Sequence, residues 1–155
     1  MRIERADPSS VAYVAMRMRD ADWDELSALS WCETREALVE ELVHTYTQVA
    51  AGIVAVHRDE PVAVGCLMTL RPRVATLGMF ATDKLPLIGR PLTRYVRKSL
   101  IEAFLSEGGH RVEAASLLGH HKAHRWLEAL GLSEEGVSSQ FGKNRETFVQ
   151  FALVR

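Results

Sequence analysis

The chain has 155 residues, the length of one domain, with 47% hydrophobic and 25% charged residues, an ordinary composition for a globular protein. Its formal net charge of −1 offers no general basic field for nucleic acid or an anionic membrane. No apolar run reaches the ~20 residues that span a bilayer, and the polar, charged start MRIERADPSS is unlike a secretory signal.

Met1 to Arg5 alternates apolar and charged residues and predicts a short half-exposed strand. Asp7-Pro8 predicts a helix start, with Asp as cap, Pro at the first helical position, and Val11, Val14, Ala15 and Met18 as the apolar stripe. Asp22 is expected to cap a short helix holding Trp23, Leu26 and Leu29. Thr34 is expected to cap another, with Leu38, Val39, Leu42, Val43 and Tyr46 inward. Ala51 to Val56 and Val62 to Leu70 read as strands about the turn Arg58-Asp59-Glu60-Pro61.

Val74 to Thr82 is apolar almost throughout and reads as a strand buried on both faces. Pro91 to Leu105 is an amphipathic helix. Leu92, Tyr95, Val96, Leu100, Ala103 and Phe104 lie on its inner face, Arg94, Arg97, Lys98 and Glu102 on its outer face, and Gly108-Gly109 stops it. Arg111 to Leu118 is a further strand, set parallel to the one before the helix because a helical crossover joins them. His121 to Leu130 is a short helix with Ala123, Trp126, Leu127 and Leu130 on one face, closed by Gly131. Val137 to Phe141 and Thr147 to Val154 are expected to pair about Gly142-Lys143-Asn144-Arg145. Trp126, Leu130, Phe104, Val96 and Tyr95 are expected to be mostly buried. No repeat or linker divides the chain.

The resulting order, β-α-α-α-β-β-β-α-β-α-β-β, is an α+β mixed sheet with helices on both faces. The run from His120 to Leu132, with Ala123 and Gly131 in place, resembles the signature after the fifth strand of the GNAT N-acetyltransferases. A narrower resemblance is to the GNAT-like internal virion or assembly proteins of short-tailed bacteriophages and prophages. It is carried by Met16 to Asp22 with Glu25, by Phe80-Ala81-Thr82-Asp83, by His124 to Gly131, and by Phe141-Gly142-Lys143 with Phe148 and Phe151. These resemblances imply one GNAT-like domain over residues 1–155.

The resemblance also implies where a coenzyme would sit: on backbone N–H groups at the splayed strand end, Phe80-Ala81, and on a Gly-rich loop at a helix start. That loop departs from the family's Q/R-x-x-G-x-G/A. Aligned on Gly89 it reads Pro86-Leu87-Ile88-Gly89-Arg90-Pro91, and Pro91 has no N–H to give a phosphate. Pro91 also suits a first helical position. Arg90 and Arg94, with Arg97, are either phosphate partners or a solvated helix face. The family's acidic Tyr falls on Leu127, which cannot donate a proton. Asp83, just after the strand, and His120, a residue type that can take or give a proton near neutral pH, are the candidate catalytic groups. Their plain alternatives are a turn-capping carboxylate and a half-exposed histidine. His120 and His124 have the i, i+4 spacing of metal ligands but no third ligand, so no metal site is expected. Cys32 and Cys66 form no CxxC pair and fit a reduced compartment.

Two functions remain open. The phage resemblance, with the altered loop and Leu127, implies a protein of virion or ejection-apparatus assembly with reduced or absent acyltransfer. It would work in the bacterial host cytoplasm or in the particle, and its partners would be other phage virion or ejection proteins. The alternative is an acetyl-CoA-dependent N-acetyltransferase acting on an amine or protein, and acetyl-CoA is a cofactor only in that case. Neither nucleic acid nor membrane is an expected partner. Under the first reading, ~1 mM acetyl-CoA raises the melting temperature by less than about 2 °C.

Overall fold

The computed structural model describes residues 1–49 and 52–155. Ala51, where the second strand is expected to begin, lies outside the described residues. Seven strands form one sheet: β1 Arg2–Arg5, β2 Ile53–His57, β3 Glu60–Arg71, β4 Val74–Ala81, β5 Arg111–Leu117, β6 Ser133–Ser138 and β7 Phe148–Val154. Their spatial order is β1-β2-β3-β4-β5-β7-β6, and only β4 and β5 run parallel.

Helices cover both faces. α1 (Pro8–Met16) and α3 (Arg35–Gln48) pack Val11, Val14, Leu38, Leu42 and Tyr46 on Val54, Val56, Val64, Cys66 and Phe80. α2 (Asp20–Ala28) lies between them in the chain. On the other face, a continuous helical rod combines α4 (Gly89–Tyr95), a π-helical segment (Val96–Ile101) and α5 (Glu102–Ser106). With α6 (His121–Leu130) it buries Leu92, Val96, Ile101, Leu105, Leu127 and Leu130 on Ala55, Ala63, Leu77 and Val112. The strand period of two sends alternate residues to the two cores.

Local signals set several boundaries. Asp7 Oδ1 accepts from the N–H groups of Ser9 and Ser10, both at 3.0 Å, and Pro8 opens α1. Thr34 Oγ1 accepts from Ala37 N–H at 3.2 Å and starts α3. Gly131 at φ 101° closes α6, a left-handed cap that glycine adopts without strain.

Elsewhere tertiary contacts override the local reading. Asp22 does not cap α2; the helix begins at Asp20, and Asp22 is its third residue, 4% exposed and bonded across the molecule. Leu29 falls beyond that helix and is exposed. The β2–β3 turn is Arg58-Asp59 alone, at φ 50° and 62°, so Glu60 and Pro61 already belong to β3. The rod begins at Gly89, so Pro91 is not its first residue. The π segment inserts a residue into the rod, so burial runs 92, 96, 101, 105, and Ala103 turns outward. Val96 and Leu130 are buried as expected, whereas Tyr95, Phe104 and Trp126 are only half-buried. Leu132 is buried directly after Gly131 and anchors the next strand, so β6 begins at Ser133 rather than Val137. Phe141 is therefore in the loop, not in β6.

Candidate functional site

β4 and β5 pair for only three rows, Val74–Thr76 against Arg111–Glu113. Each strand then continues, to Ala81 and to Leu117, without the other as neighbour. The sheet therefore splits, and Thr76, Gly78 and Met79 are half-exposed, contrary to a strand buried on both faces. A cleft of about 400 Å³ opens between the arms. Leu77, Met79, Ala114, Ala115, Trp126 and Leu127 form its apolar walls. Arg19, Asp22, Glu25, Asp83, Gly89, His120 and Lys122 also line it.

Two carboxylates of α2 hold the two arms. Asp22 Oδ2 accepts the N–H of Ala81 at 2.8 Å and Arg19 Nε at 3.0 Å, and Asp22 Oδ1 accepts Arg19 Nη2 at 2.7 Å. Glu25 Oε2 accepts the hydroxyl of Ser116 at 2.6 Å and the N–H of Leu117 at 2.8 Å, and it lies 3.1 Å from His120 Nδ1. In the neutral tautomer that donates from Nδ1 to the Glu25 carboxylate, Nε2 carries the lone pair.

The candidates named from the sequence separate into groups. His120, Asp83 and Gly89 all border the cleft. His120 is half-buried at the start of α6 and paired with Glu25, whereas Asp83 is exposed. Alternation along β4 turns the N–H of Phe80 toward its partner strand β3, and the N–H of Ala81 is already taken by Asp22. Neither is therefore the free backbone donor expected at the strand end. Ala81 N–H faces away from β3, and alternation along β4 turns Met79 N–H to that same side, beyond the last β5 pairing. Arg90 and Arg94 are exposed on α4. Among the described residues, neither they nor Arg97, Lys98, Lys122 and Arg125 lie in an ion pair. His124 Nε2 contacts the carbonyl of Leu117 at 2.9 Å, so it is not turned to share a ligand with His120. No cluster of three or more metal-binding side chains occurs among the described residues.

Met79, Asp22, Glu25 and Ser116 are site residues that the sequence did not single out. The only pointer is the stretch Met16 to Asp22 with Glu25, which carries a resemblance but no role. Trp126, expected in the core, instead borders the cleft and donates its indole N–H to Thr93 Oγ1 at 3.0 Å, which ties α6 to α4.

A seven-stranded mixed sheet, split between β4 and β5 and flanked by helices on both faces, is the GNAT acyl-CoA N-acyltransferase fold. The chain is similar over 100% of its length to 100% of the ribosomal-protein-alanine N-acetyltransferase from Brucella melitensis, with TM-score 0.74 and 18% identity. It is similar over 99% of its length to 92% of the ribosomal-protein-S18-alanine N-acetyltransferase from Escherichia coli, with TM-score 0.68 and 15% identity. It also matches, over 99% of its length and 93% of the other chain, a Salmonella typhimurium protein solved with its cofactor acetyl-CoA, with TM-score 0.72 and 14% identity. No protein-family model and no curated protein matches the chain.

Proposed function

We propose that the chain is an acetyl-CoA-dependent N-acetyltransferase in which His120, oriented by Glu25, is the base. The observation that carries this reading is the His120–Glu25 pair on the wall of the cleft between the split strands. Glu25 fixes the imidazole through Nδ1 and leaves Nε2 to take a proton from an amine. The Ser116 hydroxyl and Leu117 N–H hold Glu25 in turn, so the pair is supported from β5.

The residues present suit the coenzyme in four respects. The cleft volume falls within the usual range for ligand sites, and its inner walls are apolar. Met79 N–H is directed to the gap. A Cβ added at Gly89 would meet nothing within 4 Å, so the chain leaves open space at the rim, where Lys122 also stands. Arg90 and Arg94, on the helix that begins at Gly89, supply the positive charge that the Pro91 backbone does not. Bound acetyl-CoA supplies a thioester carbonyl open to attack by an amine. The three solved proteins named above support this reading at the level of fold.

The test is a thermal-shift titration. A ligand at ~100 times its dissociation constant stabilises by about 2.7 kcal/mol, which for a chain of this size is roughly 5–11 °C. A saturable rise of about 5 °C or more in ~1 mM acetyl-CoA is expected. A rise below about 2 °C, the outcome expected under the virion-assembly reading, would withdraw the proposal.

A role in virion assembly is a second reading, and it requires a surface for a protein partner. Trp31, in the loop between α2 and α3, is 97% exposed, and a free indole of this kind suits a protein contact. Loss of partner binding in Trp31→Ala with acetyl-CoA binding intact would favour assembly.

A further inference from the structure

We propose that a second cavity, which shares His120 with the coenzyme cleft, takes the amine, and that Asp24 selects an aliphatic amine carrying a second positive charge. This rests on the acetyltransferase reading for its chemistry, but the cavity and its charge stand on their own geometry.

The second cavity has a volume of about 390 Å³ and is bordered by Ala21, Asp24, Leu117, Leu118, His120 and Thr147. His120 is the residue it shares with the first cleft. The helical period explains how one short helix serves both. Asp22 and Glu25 are three apart and face the first cleft, while Ala21 and Asp24 are three apart and face the second. α2 is thus a partition with carboxylates on both sides.

Charge decides what the second cavity suits. No lysine or arginine borders it. Asp24 is in no ion pair, and its side chain is in no hydrogen bond, among the described residues. Asp20, on the same helix, adds a second exposed carboxylate whose contact with Arg35 is as long as 3.9 Å. Leu117 and Leu118 supply apolar surface between Asp24 and His120. An aliphatic chain with an ammonium at one end meets Asp24, and its other end presents an amine toward His120.

Three amines of equal backbone length but different far ends provide the test: putrescine (cationic), butylamine (neutral) and γ-aminobutyrate (anionic). With the native protein and saturating acetyl-CoA, kcat/KM for putrescine should exceed that for butylamine by about tenfold or more, with γ-aminobutyrate lowest. Asp24→Asn should bring the first two together, mainly through KM, and leave the acetyl-CoA melting shift unchanged. Asp24→Lys should favour γ-aminobutyrate. An unchanged putrescine preference in Asp24→Asn would overturn the proposal. NMR titration of the protein alone with putrescine separates this idea from the enzyme reading. Shifts at Asp24, Leu118 and Thr147 that vanish in Asp24→Asn support the site even if acetyl-CoA does not bind. Their absence removes the site even if acetyl-CoA binds.

Discussion

Asp22 and Glu25 stand three residues apart on α2, and their carboxylates accept backbone N–H groups from opposite arms of the split sheet, Ala81 on β4 and Leu117 on β5. One turn of helix therefore spans the gap that the missing β4–β5 hydrogen bonds leave.

Removing the β4 half of this bridge should be the more damaging. Asp22→Ala leaves Arg19 without its carboxylate and Ala81 N–H without an acceptor in a site where Asp22 is 4% exposed. Breaking such a buried pair costs about 3–5 kcal/mol. Asp22→Asn, which keeps an acceptor for Ala81, is expected to lose less. Urea denaturation of both variants checks the order.

On the other arm, Glu25→Ala orphans the Ser116 hydroxyl, which is 1% exposed, and should cost about 1–3 kcal/mol. Glu25→Ala combined with Ser116→Ala should recover part of this loss, because the pair shares one hydrogen bond. Additive losses in a double-mutant cycle would show that the two side chains act independently.

A close approach inside the sheet gives a third expectation. A Cβ on Gly78 would lie 2.5 Å from the Tyr46 hydroxyl but 3.4 Å from the ring carbon behind it. Gly78→Ala should therefore destabilise by about 1–3 kcal/mol, and Tyr46→Phe in the same chain should relieve much of the strain. Thermal melts of the single and double variants decide it.

The α1 cap gives a pH signature. Hydrogen bonds from the Ser10 and Ser9 side chains hold Asp7 at about 2, against an ordinary 3.8. The folded value lies below the unfolded one, so the stabilisation is present above about pH 4 and fades as pH falls toward 2. The stability gap between native protein and Asp7→Ala, about 0.5–2 kcal/mol at about pH 6, should narrow over that window. A gap that is flat from about pH 5 to about pH 2 would rule this out.

The cysteines should differ in reactivity. Burial pushes the Cys66 thiol up to about 12, and its side chain is fully enclosed, whereas Cys32 is half-exposed in the α2–α3 loop. A thiol reagent should modify Cys32 alone in the native state and both after denaturation.

Much of the fold is legible in the sequence because its signals are local. Asp7-Pro8, Thr34 and Gly131 each mark a helix end within a few residues, and the bounds of α6 follow directly from Gly131 and the apolar stripe. The Asp22–Ala81 contact joins residues 59 apart in sequence, and no period or cap announces it. Local propensity suggests a cap at Asp22, while the fold uses it as a clasp. The π segment is hidden for a related reason: Leu100 and Ala103 satisfy an ideal α period, and only packing selects Ile101 and Leu105 instead. In the candidate site, the positions of Asp83, Gly89 and His120 follow from element order, but the groups that orient them depend on contacts across the chain.

The brevity of the β4–β5 pairing has a consequence for engineering. Strands β1 to β4 come from residues 2–81 and strands β5 to β7 from residues 111–154, so the division in space coincides with a division in sequence. Three paired rows, the Glu25 carboxylate of α2 and the packed helices join the two parts. A break at the exposed Asp83-Lys84 link would separate them without cutting a strand. Co-expressed halves should reassemble as a split protein, and Glu25→Ala should weaken that reassembly, because Glu25 lies in the first fragment and its partners Ser116, Leu117 and His120 in the second, which makes this contact measurable as an affinity between fragments.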